Sequence, residues 1–171
     1  CPPTRALLDT VIHAVVAHVN EGAPLPPKGA VIASEKTLCD ECPRERSGNL
    51  NIKKIYRVHE KEPEPDKCLL EQGFLCAAPV TRAGCNARCI RANMPCRGCM
   101  GPTKAVTDFG GSFLSAISSV LDMTDKEGQR TEEEIEQLME QIIDPIGLFY
   151  RFTLPKAQIK RRVHERGLTT K

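Results

Sequence analysis

The spacing of its cysteines constrains this chain more than any other feature of its sequence. Eight cysteines fall within residues 39–99, at Cys39, Cys42, Cys68, Cys76, Cys85, Cys89, Cys96 and Cys99. The first two and the last two are each separated by two residues, which lets both sulfurs reach one metal ion or one cluster. We expect the eight thiols to divide into two sets of four, each set binding a metal centre.

Composition favours metal ligation over disulfide bonding. The chain of 171 residues carries nine cysteines, and an odd number does not suit a framework made only of disulfides. Aromatic residues are 4% and Trp is absent, so the apolar core is thin and the loops need another source of stability. Charged residues are 27% and no signal peptide is visible, which favours a reducing, cytoplasmic location.

Charge and motif content exclude several classes of function. The formal net charge is only +2, which does not indicate a nucleic-acid-binding or membrane-binding surface. No apolar run approaches the roughly 18 residues needed to span a bilayer. The sequence has no Ser/His/Asp ordering, phosphate-binding glycine loop or zinc-protease helix, so no catalytic residue is predicted.

Iron–sulfur clusters explain the cysteine spacing better than zinc does. Structural zinc favours two close pairs for each ion, but four of these cysteines are separated by gaps of seven, eight and three residues. A cluster draws ligands from several loops, and the interleaved glycines let backbone N–H groups approach its sulfide. Two alternatives remain: a zinc-stapled protein-interaction module, and a stand-alone iron–sulfur enzyme whose cluster has an open coordination site.

Arginines are interleaved with the later cysteines. No Asp or Glu occurs between Cys76 and Cys99, whereas arginine occurs four times from position 82 to position 97, at Arg82, Arg88, Arg91 and Arg97. A four-thiolate cubane carries about two negative charges when oxidised and about three when reduced, so nearby positive side chains favour the reduced form. The same arginines also suit a solvated face or a contact with a partner.

Helix and proline patterns predict an irregular, mostly α fold with long loops. Residues 1–30 comprise an N-terminal helix and a proline-rich linker, residues 31–102 a core with two clusters, and residues 103–171 a helical segment that packs on the core or on a partner. An apolar stripe predicts the first helix from Thr4 to about Val19, with Gly22 as its C-terminal cap.

Local signals also place the later helices. One is predicted in the second half of 103–121, where Gly110-Gly111 indicates a break or a close approach. Another begins at Thr131, which forms a capping box with Glu134, and ends at Asp144-Pro145. The aromatic cluster at 148–152 is a packing patch, and the basic tail from Lys156 reads as a solvated helix.

The sequence resembles the small subunit of nickel–iron hydrogenases. The resemblance lies in residues 68–89, CLLEQGFLCAAPVTRAGCNARC, and residues 94–102, MPCRGCMGP. It is greatest for the cytoplasmic kind that is associated with heterodisulfide reductase or reduces methyl viologen or coenzyme F420. The resemblance implies the iron–sulfur-binding domain of that subunit, without the flavodoxin-like N-terminal domain that precedes it in the family.

The resemblance also implies which cysteines bind which cluster. By the match with the family's ligand positions, a distal [4Fe-4S] cluster is expected to be bound by Cys39, Cys42, Cys68 and Cys76. A medial [4Fe-4S] cluster is then bound by Cys85, Cys89, Cys96 and Cys99. Cys1-Pro-Pro matches the last ligand of a third, proximal [4Fe-4S] cluster, whose other ligands lie outside this chain.

The implied function is that of an oxidoreductase subunit. The chain would carry electrons between the nickel–iron centre of a large hydrogenase subunit, which splits hydrogen, and an acceptor subunit. That acceptor would be an iron–sulfur protein linked to heterodisulfide reductase, or a flavoprotein.

Overall fold

Loops, not helices or sheets, form the centre of the molecule. The structure is a computed structural model that describes residues 3–48, 52–121 and 131–154. Its helices are α1 (Arg5–Glu21), α2 (Arg88–Arg91), α3 (Phe109–Ser118), α4 (Glu132–Glu140) and α5 (Pro145–Tyr150), with a 3₁₀ turn at Leu38–Asp40. Within these ranges, β pairing occurs as isolated bridges, so the expectation of a mostly α, irregular fold is confirmed. No helix there is both long and apolar enough to cross a membrane.

Helix α1 begins and ends where the local sequence predicts. Gly22 has a left-handed φ of 68°, and its N–H reaches the carbonyls of Ala17 and His18, which closes the last turn. Thr4 precedes the helix, but its hydroxyl donates to the carbonyl of Gly84 at 3.2 Å and does not cap the helix. The apolar stripe is largely exposed, and no residue of α1 is buried.

The C-terminal helices pack together around aromatic side chains. The Phe113 ring is fully buried on α3 and packs edge-on against Phe149 of α5, with 5.5 Å between the two ring centroids. Gly110 lies inside α3 directly against the Tyr150 ring, where a Cβ would collide with it. The predicted close approach is therefore confirmed, and the predicted break is wrong.

The ends of α4 show where local signals succeed and fail. Thr131 and Glu134 form the predicted capping box, with the Thr131 N–H donating to the Glu134 carboxylate at 3.0 Å. The helix ends at Glu140, before the predicted Asp144-Pro145. Asp144 instead accepts a hydrogen bond from the Gly147 N–H at 2.8 Å and caps α5, in which Pro145 is the first residue. Proline is well suited to that position because its missing N–H would have no helical partner there.

Two apolar groups hold the loops in place. The first surrounds the buried Phe74 and includes Cys76 and Cys96, and four partly buried cysteines also pack against it: Cys39, Cys42, Cys68 and Cys85. The second joins α3, α4 and α5 to Ile55, Ala77 and Val80. Residues 122–130, whose sequence predicts a polar turn, and the basic tail from Lys156 lie outside the described residues.

Replacing Phe113 by Ala should lower the free energy of unfolding by about 3–5 kcal/mol, because it leaves a cavity beside the rings of Phe109 and Phe149. Phe152→Ala is the matched control, since that ring is 48% exposed and its loss should change stability by about 0.5 kcal/mol or less. Urea unfolding followed by far-ultraviolet circular dichroism measures both. Equal effects of the two substitutions would contradict this description of the core.

Candidate metal centre

Four of the predicted ligands surround one cavity. Cys39, Cys42, Cys68 and Cys76 line a cavity of about 350 Å³. Most of its remaining wall is apolar, formed by side chains that include Leu69, Leu70, Ala78, Ile90 and Val120. Two arginines, Arg44 and Arg46, also line it. The structure therefore gathers thiols, two arginines and a mostly apolar wall at one place, together with the carboxylate of Glu71.

Backbone hydrogen bonds between loops bring these cysteines together. The Cys68 N–H donates to the Glu45 carbonyl at 2.8 Å, which pins the loop after Cys42 beside Cys68. The Leu38 N–H donates to the Thr81 carbonyl at 2.7 Å and draws Cys39 toward the segment after Cys76.

A small capping box shapes the turn that carries Cys39. The Thr37 N–H donates to the Asp40 carboxylate at 2.9 Å, and the Thr37 hydroxyl to the same oxygen at 2.8 Å. These hydrogen bonds hold the pKa of Asp40 below its usual range. The turn therefore begins at a defined residue and presents Cys39 to the cavity.

Burial disfavours ionisation of two thiols around the cavity, Cys39 and Cys76. It raises the pKa of Cys39 from 9.0 to about 11, opposed by the positive charge of Arg46 and reinforced by Cys68 and Cys42. Burial raises the pKa of Cys76 further, although hydrogen bonds from the Cys96 and Ala78 amides favour its thiolate. A metal bound here would displace thiol protons, so its affinity would be coupled to proton release.

A second group of thiols centres on Cys96. Burial raises the pKa of Cys96 to about 11, while hydrogen bonds with the Gly98 N–H and with the Thr81 hydroxyl lower it, and the neighbouring Cys99 and Cys85 raise it. The Gly98 N–H lies 3.4 Å from the Cys96 sulfur. The structure thus brings three of the four predicted medial ligands into one neighbourhood.

The loop from Cys85 to Cys89 reverses the chain through unusual backbone conformations. Asn86 and Ala87 have φ values of 55° and 48°, in the left-handed region that alanine rarely adopts. Cys89 follows on α2, half-buried and one residue before the buried Ile90. Strained backbone held by its surroundings is frequent at functional sites.

One hydrogen bond joins the two groups of cysteines. The Cys96 N–H donates to the Cys76 sulfur at 3.3 Å, and the Ala77 N–H donates to the Cys96 carbonyl at 3.0 Å. Both sulfurs are buried in the same apolar group. The two groups are therefore immediate neighbours inside the protein.

The arginines that line the cavity differ from those singled out in the sequence. Arg82 is buried but lies 3.6 Å from the Glu35 carboxylate. Arg91 is exposed and donates to the Asn86 carbonyl at 3.0 Å. Arg88 and Arg97 are also exposed, while Arg44 and Arg46, which sequence reasoning missed, flank the cavity thiols. Cys1 lies outside the described residues.

The donor set suits a thiolate-bound cluster. In the ranges that the structure describes, no three His, Cys, Asp or Glu side chains are gathered closely enough to bind a metal ion. The eight cysteines from Cys39 to Cys99 are free thiols. A cubane is larger than a single ion and takes its ligands from several loops, which matches four thiols spread around a cavity of about 350 Å³.

Comparison with known proteins identifies the family. An F420-non-reducing hydrogenase subunit from Methanothermus fervidus is 42% identical over 130 residues, which are 75% of this chain and 99% of that relative. The chain belongs to this family of F420-non-reducing hydrogenase subunits. The expected resemblance to hydrogenase subunits is thereby confirmed at the level of the family.

Other relatives in this hydrogenase family are longer. The F420-non-reducing hydrogenase iron-sulfur subunit from Archaeoglobus profundus is 35% identical over 167 residues, 95% of this chain and 48% of the relative. The F420-non-reducing hydrogenase relative from Methanothermobacter thermautotrophicus is 38% identical over 170 residues, 98% of this chain and 50% of the relative. The chain thus spans about half the length of these two relatives. No family model matches the chain.

Gly98→Ala should disturb the second cysteine group. Gly98 has a φ of 87°, and an added Cβ would lie 2.6 Å from the Phe109 ring. The positive φ should cost about 1–2 kcal/mol, and overpacking a further 1–3 kcal/mol or so. Urea unfolding measures the total loss in the free energy of unfolding.

Gly101→Ala is the matched control for this substitution. Gly101 has a similar φ of 72°, but nothing lies within 4 Å of an added Cβ. We expect only the backbone cost there. Equal losses for the two glycines would show that the contact between Gly98 and Phe109 has no energetic consequence.

Proposed function

We propose that this chain is the electron-transfer part of a nickel–iron hydrogenase small subunit and that its eight central cysteines bind two [4Fe-4S] clusters. In this proposal Cys39, Cys42, Cys68 and Cys76 bind the distal cluster, and Cys85, Cys89, Cys96 and Cys99 the medial cluster. The observation that carries the proposal is the cavity whose wall contains all four of the first set. Membership of the F420-non-reducing hydrogenase family supports it.

The protein's own groups would hold and tune these clusters. When bound, each cluster supplies a carrier of single electrons. The thiolates provide the ligands, and the apolar wall around Leu69 and Ile90 excludes water. The amides of Cys96 and Gly98 donate to the sulfurs of Cys76 and Cys96. Such N–H···S hydrogen bonds stabilise negative charge on sulfur and influence the reduction potential.

The adjacency of the two cysteine groups supports a relay. Electrons pass efficiently only between carriers that lie close together, and here the Cys96 N–H contacts the Cys76 sulfur directly at 3.3 Å. The chain would thus connect a large subunit, which holds the nickel–iron centre, to an acceptor subunit in the cytoplasm. Cys1 would complete a proximal cluster with ligands from outside this chain.

Helix α1 is the surface that we assign to partner contact. Its apolar stripe is exposed from Leu8 to Val19, with Val19 74% exposed. The exposed residues of this stripe are Leu8, Val11, Ile12, Val15, Val16 and Val19. An apolar stripe of this kind is typical of a surface that another protein covers.

Metal analysis after anaerobic purification tests the proposal. We expect a brown protein with about eight irons and eight acid-labile sulfides per chain, copurifying with a large subunit that contains nickel. Stoichiometric zinc without acid-labile sulfide would contradict the proposal and would indicate the zinc-stapled interaction module.

Single cysteine substitutions test the two ligand sets. Cys42→Ala and Cys99→Ala should each remove about four irons, and the double substitution about eight, because each cubane needs its own four thiolates. Cys1→Ala is the control, since the proposed proximal cluster takes its other ligands from outside residues 1–171 and both central clusters should remain. If one variant among the eight cysteines retained all of its iron, that cluster would have only three cysteine ligands, as expected for a stand-alone iron–sulfur enzyme.

A further inference from the structure

Arg44 is a buried cation whose hydrogen bonds connect distant loops. It is only 7% exposed. One terminal nitrogen donates to the carbonyls of Glu64 at 2.6 Å and Lys67 at 2.9 Å. The other donates to the carbonyl of Ile90 at 3.3 Å and to the side-chain oxygen of Asn93. The guanidinium is therefore held rigidly.

All four of these acceptors are neutral. Among the described residues, no carboxylate forms an ion pair with Arg44. Arg82 provides the contrast, because it is equally buried at 7% but lies 3.6 Å from the Glu35 carboxylate. Burying a charge is costly unless an opposite charge compensates it. In the part of the chain that the structure describes, no carboxylate thus lies within ion-pair distance of this buried charge. Glu71 lines the same cavity, but its carboxylate accepts from the Ser47 and Gly48 amides.

The position of Arg44 indicates where that counter-charge lies. Arg44 lines the same cavity as Cys39, Cys42, Cys68 and Cys76. Its acceptor Lys67 directly precedes Cys68, and its acceptor Ile90 directly follows Cys89. The guanidinium therefore lies beside the first cysteine group and is tied to a segment of the second.

We propose that Arg44 is the internal counter-charge of the cluster bound by Cys39, Cys42, Cys68 and Cys76, and that it raises the reduction potential of that cluster. The inference rests on the proposed function. Each one-electron reduction adds one negative charge to the cluster, so a fixed cation nearby stabilises the reduced form more than the oxidised form. Burial makes this effect large because little water screens it.

Potentiometric titration followed by electron paramagnetic resonance, on the anaerobically purified complex, measures the effect. The signal of this cluster is identified as the one that Cys42→Ala abolishes. Arg44→Met should lower the equilibrium constant for its reduction at least about tenfold, or about 59 mV for a one-electron couple. Arg44→Lys keeps the positive charge but loses the planar guanidinium and its paired N–H donors. The equilibrium constant for reduction in this variant should stay within about threefold of that of the unsubstituted protein.

Arg46→Met is the matched control for charge at the same cavity. Arg46 also lines the cavity but is exposed, and it donates to the Cys39 carbonyl at 3.0 Å. Arg46 also acts on the Cys39 thiol, but water and salt screen an exposed charge, so its removal should lower the reduction constant by less than the removal of Arg44 does.

Each outcome decides the inference. An unchanged potential in Arg44→Met with full iron content would overturn it, because the charge would then have no effect on the cluster. An Arg44→Lys variant whose potential fell as far as that of Arg44→Met would also overturn it, because the fall would then follow the loss of the guanidinium hydrogen bonds and not the loss of charge. If Arg44→Met fails to assemble the cluster, Arg44→Lys decides. Full iron content in Arg44→Lys would support the role of the charge, whereas loss of iron in Arg44→Lys would overturn the inference. A lack of iron in the unsubstituted chain would overturn the proposed function itself, whereas an unchanged potential with full iron overturns this inference alone.

Discussion

Contact between cysteine sulfurs and one small apolar group is the constraint on which the rest of the structure depends. Cys76 and Cys96 are buried members of that group, and other thiols pack against its edge. Burial makes thiolate formation unfavourable, as the pKa of about 11 at Cys39 and Cys96 shows. Ligation that ionises these thiols would therefore be coupled to folding, because the same loops must close to bury them.

Helix ends were predictable wherever their determinants are local. Gly22 closes α1 and Thr131 opens α4, since each cap involves residues no more than five positions away. Asp144-Pro145 shows the limit of such signals. The same dipeptide suits the end of one helix or the start of the next, and it starts α5. Packing of the Phe149 ring on Phe113 favours the second choice.

The candidate site was predictable in its chemistry but not in its electrostatics. Cysteine spacing and family resemblance identified the thiols that the structure then gathers around Cys76 and Cys96. The sequence left two interpretations of the arginines among the later cysteines open, because it shows charge but not burial or pairing. Three of these arginines are exposed, as the interpretation of a solvated face predicts: Arg88, Arg91 and Arg97. Arg82 lies among the cysteines and yet pairs with Glu35. Arg44 lies before the arginine-rich segment 76–99 and yet lines the cavity.

By itself, the sequence indicated the candidate sulfur donors, the resemblance to hydrogenase subunits and most of the local caps, because these depend on residue type and short spacing. Tertiary structure decided which thiols share a cavity, that the stripe of α1 stays exposed, and that Arg44 is buried without a carboxylate among the described residues. The physical reason is distance along the chain. The partners of Arg44 lie 20 to 49 residues away, so only the folded loops bring them to it.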